Sequence, residues 1–160
     1  MDAHDTPLRK QLANILAWED AHVGFERAVA GVPATLRGAV PAGFAHSVWQ
    51  LVEHLRLAQR DILEFCIDPD YREQRWPDDY WPATAAPPDE AAWTTSLADY
   101  LKDRQALADL ALDGDIDLFA AIPHGSGQTY LRELLLVADH GAYHIGQIVL
   151  VRRALGDWKG

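Results

Sequence analysis

Cysteine is almost absent from this chain of 160 residues. Cys66 is the only one, so an internal disulfide cannot form and a cysteine-rich zinc knuckle is excluded. Any metal site must therefore be built from His, Asp or Glu side chains. The scarcity of cysteine also favours a reducing compartment, and we expect a cytoplasmic protein.

The sequence also lacks a signal-peptide pattern, a long apolar run and a surplus of basic residues. No stretch approaches the ~18 uninterrupted apolar residues that a membrane span needs, so we expect no membrane association. The 14 basic residues are outnumbered by 24 acidic ones, which gives a net charge of -10. Because a surface of this sign repels phosphate backbones, we expect no nucleic-acid partner. The hydrophobic fraction of 49% suffices for the core of one domain over residues 1–160.

Four segments have the apolar periodicity of helices. We predict helices from about Pro7 to Val29, Ser47 to Ile67, Asp89 to Leu112 and Thr129 to Leu155. The first follows a stripe with steps of three or four residues: Leu8, Leu12, Ile15, Trp18, His22, Phe25 and Val29. Ser47 and Gln50 have the spacing of a capping box, and Thr129 suits a helix N-cap.

The predicted second and third helices are joined by a long connection of unusual composition. Residues 68–88 contain five prolines, which exclude a long helix or a central strand. The same segment is rich in Trp and Tyr, so we expect it to be ordered and to cover one end of a helix bundle. The sequence thus predicts an all-α, up-down four-helix bundle with a long Pro/Trp-rich connection between helices 2 and 3.

Three histidines are candidates for a metal site. His140 and His144 are four residues apart on the predicted fourth helix, a spacing that rotates two side chains by only ~40° and lets both imidazoles reach one ion. The pair alone is also compatible with a structural or surface role. His54 lies near the apolar stripe of the second helix, where a single histidine more often belongs to the core. Bundle proteins nevertheless build metal sites from inward-pointing side chains of facing helices.

Other residues are weaker candidates. His22 lies on the apolar stripe of the first helix, where it would pack in the core or line a pocket. Tyr143 and Gln147 lie near the helix face of His140 and His144. Each would either contact a metal-binding histidine on the side away from the ion or serve only in the packing of the fold. Asp61, two turns after His54, could orient a ligand, although a solvated surface acid is the favoured interpretation.

A few remaining residues are assigned ordinary roles. We expect His46 and His124 to be common polar residues near loops, and Cys66 to be buried without a partner that would make it a nucleophile. Gly141 and Gly146 each cost ~1 kcal/mol relative to Ala inside a helix. Close packing of a neighbouring helix, or room beside a metal ion, would account for them, and close packing is favoured for Gly146.

These motifs resemble those of one protein family. The run from Ser47 to Leu55 resembles the second-helix signature of the DinB-like superfamily, whose members are regarded as metalloenzymes, and the run from Val137 to Gln147 resembles its fourth-helix signature. Trp76-Pro77, Tyr80-Trp81-Pro82 and the stretch from Pro123 to Thr129 are similar to one branch of it. Gly141 departs from that branch, in which Asn is expected.

The resemblance implies a site and an assembly. The metal-binding histidines of the family correspond to His54, His140 and His144. They would hold one divalent ion, zinc or nickel in the first place and iron or manganese as alternatives, in a four-helix bundle that is often a homodimer. Three imidazoles would leave a coordination position open for water or substrate.

The resemblance also suggests an activity. Members of the superfamily include bacillithiol S-transferases and the mycothiol-dependent maleylpyruvate isomerase. We therefore expect a metal-dependent S-transferase or detoxifying enzyme that joins a low-molecular-weight thiol to an electrophilic small molecule. Two alternatives stay open: a metal-dependent hydrolase, in which bound water is the nucleophile, and a non-catalytic, metal-stabilised dimeric binding module.

Overall fold

The computed structural model describes residues 5–159, and helices are its only regular elements over that range. They are α1 (Asp5–Ile15), α2 (Phe25–Val29), α3 (Val48–Ile67), a 3₁₀ turn (Asp78–Tyr80), α4 (Glu90–Leu112) and α5 (Tyr130–Ala154). The four long helices pack together, which confirms the predicted all-α four-helix fold. Residues 1–4 and 160, which the single-domain prediction includes, lie outside the described range.

Side-chain caps start the three longest helices. At α3 the Ser47 hydroxyl accepts a hydrogen bond from the Gln50 N–H (3.1 Å), and the Gln50 side chain accepts one from the Ser47 N–H (3.0 Å). This reciprocal pair confirms the predicted capping box. Asp89 caps α4 and Thr129 caps α5 in the simpler one-sided manner.

The prediction of one continuous first helix is wrong. α1 ends at Ile15, and the chain turns before α2 starts at Phe25. Trp18 is 46% exposed and His22 is exposed, although both have the spacing of the apolar stripe. The break lets the two halves pack in different places: α1 lies mainly against α4, whereas α2 lies against α5. A straight helix of the predicted length, about 35 Å at 1.5 Å per residue, could not make both contacts.

The direction of α4 corrects the predicted up-down order. Ser96 bonds Glu53, Gln59 bonds the carbonyl of Tyr100, and Arg60 pairs with Asp103. Residue numbers rise together along both helices, so α3 and α4 run parallel. A connection between parallel neighbours must return along the whole bundle, which explains the length of the segment between Ile67 and Glu90. By contrast α5 runs antiparallel to α3, since Glu133 lies near Cys66 and His140 lies near His54.

Two clusters of buried apolar side chains fill the bundle. One surrounds Trp49 and Ile148 at the end where α3 begins, and the other surrounds Leu63 and Leu134 at the end where α3 finishes. α5 contributes to both. By length and composition alone it would also suffice to cross a membrane, a test that the core helix of a soluble protein passes too.

Candidate metal centre

Two antiparallel helices bring the three predicted histidines together. His54 comes from α3, His140 and His144 come one turn apart from α5, and the metal-binding atoms they offer lie within 4.8 Å of one another. The Nε2 atoms of His54 and His140 are 3.1 Å apart. Two imidazole nitrogens bound to one zinc ion at about 2.0–2.1 Å would be about 3.0–3.4 Å apart, so this pair has the spacing of a shared ion.

Hydrogen bonds through Nδ1 place the protons of two rings on the side away from the cluster. The Nδ1–H of His54 donates to the backbone carbonyl of Tyr80 (2.8 Å), and the Nδ1–H of His144 donates to Oε1 of Gln147 (2.7 Å). A neutral imidazole that donates through Nδ1 keeps its lone pair on Nε2. Oxygen acceptors of this kind are the usual partners of metal-binding histidines, so the donor set fits a divalent ion.

The Pro/Trp-rich connection forms one wall of the cluster. The indole of Trp81 is stacked on the imidazole of His54, with ring centres 3.9 Å apart and planes 2° from parallel. His46 also stacks on Trp81, at 4.1 Å. The expectation of an ordinary polar role for His46 therefore misses an aromatic contact beside the site. Sequence reasoning also missed Tyr80 and Trp81, although their motif, Tyr-Trp-Pro, stood out in the connection.

Burial keeps the three imidazoles neutral. Desolvation, reinforced by His144 and His54, lowers the pKa of His140 to about 4. Desolvation likewise lowers the pKa of His144 to about 4, against the opposing bond to Gln147. The pKa of His54 is also lowered, mainly by burial. Since a metal ion needs the deprotonated nitrogen, the site is ready to bind one at neutral pH without releasing protons.

The structure separates the weaker candidates. Gln147 bonds His144, and the ring of Tyr143 lies edge-on to His144 at 4.8 Å while remaining 63% exposed. His22 is outside the cluster, and its Nδ1 lies 2.9 Å from the carbonyl oxygen of Val23. His124 bonds the carbonyl of Phe65, away from the cluster.

Two other expectations concern Asp61 and Cys66, in the C-terminal half of α3. Asp61 is not a solvated surface acid: it is half-buried, and its carboxylate accepts hydrogen bonds from two tyrosine hydroxyls. Cys66 is buried, as expected. Desolvation and the charge of Glu133 raise the pKa of its thiol to about 12, so the thiol is protonated at neutral pH.

The two glycines of α5 have different surroundings. A Cβ on Gly141 would meet only the hydroxyl of Tyr100, at 3.8 Å, which is ordinary contact. A Cβ on Gly146 would have no atom within 4 Å, so the close helix packing expected there is not found within this chain. Gly146 instead leaves a bare position on the outer face of α5.

Comparisons with known proteins identify the family. A family model described as the DinB superfamily matches residues 17–148, a span that includes all three clustered histidines. A search of curated proteins and a search of solved structures gave no match.

Proposed function

The chain belongs to the DinB superfamily. We propose that it binds one divalent metal ion through His54, His140 and His144. With this ion bound, the protein would act as a thiol-dependent S-transferase with a detoxifying role. The observation that carries the proposal is the convergence of three neutral imidazole nitrogens from two helices. Such a donor set suits zinc or nickel best, with iron or manganese as alternatives.

Three protein ligands leave room for one more group on the ion. The three histidines would hold the ion, which would supply Lewis acidity that lowers the pKa of a small-molecule thiol. As the thiolate sulfur bonds to an electrophilic carbon, the bond from that carbon to its leaving group would break, the leaving group would depart with the electron pair, and the thiol proton would pass to solvent. The only cysteine of this chain is buried and protonated, so the reacting sulfur has to come from a small molecule.

Space for a small molecule exists toward the end where α3 finishes, in a cavity that none of the three clustered histidines lines. A cavity of about 550 Å³ lies between α3, the connection and α5, within the usual size range for small ligands. Leu136 lines it one turn before His140, and Tyr80, whose carbonyl accepts from His54, lines it as well. The net charge of -10 favours small molecules over nucleic acid, and we keep the cytoplasm as the proposed location.

Metal analysis tests the site. Protein purified without a nickel column should contain about one divalent ion per chain, and His54→Ala or His140→Ala should abolish its retention, because two imidazoles hold an ion far less tightly than three. His22→Ala is the matched control, since His22 lies at the surface outside the cluster. Stoichiometric metal in either cluster variant would refute the three-histidine site.

Thermal-shift measurements test the reaction class. Low-molecular-weight thiols should raise the melting temperature of the metal-loaded protein and leave the chelator-treated protein unchanged, because a ligand stabilises only the state that it binds. If no thiol stabilises the loaded protein, the S-transferase loses its support and the hydrolase becomes the leading alternative. A collapse of stability on chelation, again without a thiol response, would indicate the non-catalytic, metal-stabilised binding module.

A further inference from the structure

Asp61 joins the connection to α3 at a point two turns beyond His54. The hydroxyl of Tyr71 donates to one carboxylate oxygen (2.9 Å), and the hydroxyl of Tyr80 donates to the other (2.7 Å). Hydrogen bonds to a charged acceptor are about twice as strong as those between neutral groups. Asp61 therefore fixes both tyrosines, although it lies about 10 Å along the helix from His54.

Tyr80 contacts both Asp61 and the histidine cluster. Its hydroxyl binds Asp61, while its backbone carbonyl accepts the Nδ1–H of His54. The next residue, Trp81, covers one face of the same imidazole. Both the edge and the face of the His54 ring are thus held by residues of the connection, and the bond from Tyr80 to Asp61 ties that segment to α3.

We propose that Asp61 is a positioning residue for the metal centre, which acts through Tyr80 to fix the orientation and the Nε2 lone pair of His54. The proposal rests on the proposed function, in which His54 is a metal ligand. Residues that hold a metal-binding histidine from behind change metal affinity by 10- to 100-fold when they are replaced. Asp61 is one step further removed, and its effect has to pass through Tyr80.

Tyr71 provides an internal comparison. It donates to the same carboxylate as Tyr80, but its ring packs against Phe65 and His124, far from the cluster. If Asp61 merely anchors the connection, the two hydroxyls should matter equally. If Asp61 acts on the metal centre, the hydroxyl of Tyr80 should matter much more for the metal.

The test compares Tyr80→Phe, Asp61→Asn and the control Tyr71→Phe. Zinc affinity is measured by competition with a chromophoric chelator, and the site geometry is followed by the absorption spectrum of the cobalt-loaded protein. We expect zinc affinity about tenfold weaker and an altered cobalt spectrum for Tyr80→Phe and Asp61→Asn, against a change of less than about threefold for Tyr71→Phe. The double variant that combines Tyr80→Phe with Asp61→Asn should bind zinc about as well as Asp61→Asn alone, because Asp61 acts on the site through Tyr80.

Two results would overturn the proposal. One is unchanged zinc affinity in Asp61→Asn. The other is an equal loss in Tyr71→Phe and Tyr80→Phe, which would leave Asp61 as a structural anchor.

A measurement on metal-free protein separates this proposal from the proposed function. The Nδ1–H proton of His54 should give a slowly exchanging NMR signal in the wild type and in Tyr71→Phe, and should be lost or shifted in Tyr80→Phe and Asp61→Asn. A wild type that binds no zinc but shows this pattern would refute the metal site and retain the positioning contact. The same signal in all four proteins would refute the positioning role by itself.

Discussion

The buried, neutral imidazoles make the folding stability of the metal-free protein depend on pH. The pKa values of His140 and His144 are each lowered to about 4, first of all by desolvation, and that of His54 is lowered as well. In the unfolded chain these groups return to an ordinary pKa near 6.5. Between those values the unfolded state binds more protons than the folded state, so acid favours unfolding.

We therefore predict that the metal-free protein loses stability as the pH falls from about 6.5 to about 4. The sign follows from the lowered folded-state pKa values: the contribution of these groups is fully present above the unfolded pKa and declines as the pH falls below it. Urea unfolding in the presence of a chelator, at about pH 7, 5.5 and 4.5, would measure the effect.

A variant separates the histidines from the many carboxylates that titrate in the same range. Combining His140→Asn with His144→Asn removes two of the three groups and should flatten the decline. If the variant and the wild type lose stability in parallel, the imidazoles are not the groups responsible.

The three clustered histidines could be predicted from the sequence, but their surroundings could not. The i,i+4 spacing of His140 and His144 follows from helix geometry, and the family resemblance singled out His54. Tyr80, Trp81 and His46 reach the site from loops, whose path no periodicity encodes. Asp61 was misjudged for the same reason, because its partners Tyr71 and Tyr80 belong to the connection.

Among the helices, the longest and most clearly capped ones were predicted best. α3 and α5 begin at side-chain caps that can be recognised in the sequence. The first predicted helix rested on apolar spacing alone, which does not reveal that its middle residues are exposed and that the helix is interrupted there. Arg9 shows the limit of an apolar stripe: it is polar and was left out, yet it is buried and donates to carbonyls at the end of α4. Arg9 is buried because of partners about 100 residues away in the chain, and the sequence around Arg9 gives no sign of them.

The glycine inside α5 beside His140 gives a prediction about helix stability. Gly141→Ala should raise the free energy of unfolding by about 1 kcal/mol, because Ala restricts the unfolded chain and favours the helix. The added Cβ has room, with the Tyr100 hydroxyl 3.8 Å away. Urea denaturation of the metal-free protein would measure the gain, and a destabilised variant would show that Tyr100 cannot accommodate the methyl group.

The whole molecule has an exposed apolar strip along the outer face of α5. Leu135 is 47% exposed and Leu150 is 51% exposed, and both lie on this helix with the exposed Tyr143. Gly146, where a Cβ would meet no other atom, lies in the middle. The exposed positions at heptad spacing on this face of α5 are Asp139, Ala142, Tyr143, Gly146, Leu150 and Arg153, whereas Val149 at the same spacing is buried. A bare strip of this kind fits a second helix, and the predicted homodimer would supply one.

The charges at the two ends of the strip favour a second copy of the chain as the partner. Asp139 and Arg153 are both exposed and lie seven residues to either side of Gly146. If two α5 helices cross antiparallel at Gly146, two-fold symmetry places Asp139 of each chain beside Arg153 of the other. Gly146 would allow the backbones to approach closely, which accounts for a glycine at an otherwise open position.

A charge-reversal experiment tests this dimer. Asp139→Lys or Arg153→Glu alone turns both symmetric pairs repulsive, and at about 0.5–1 kcal/mol per exposed pair either change should weaken dimerisation by about 5- to 30-fold. The double variant restores opposite charges with reversed sign and should recover most of the affinity. Analytical ultracentrifugation would measure the dissociation constants, at low salt to limit screening. A monomeric wild type, or a double variant as weak as the single ones, would rule out this pairing of α5 with its copy.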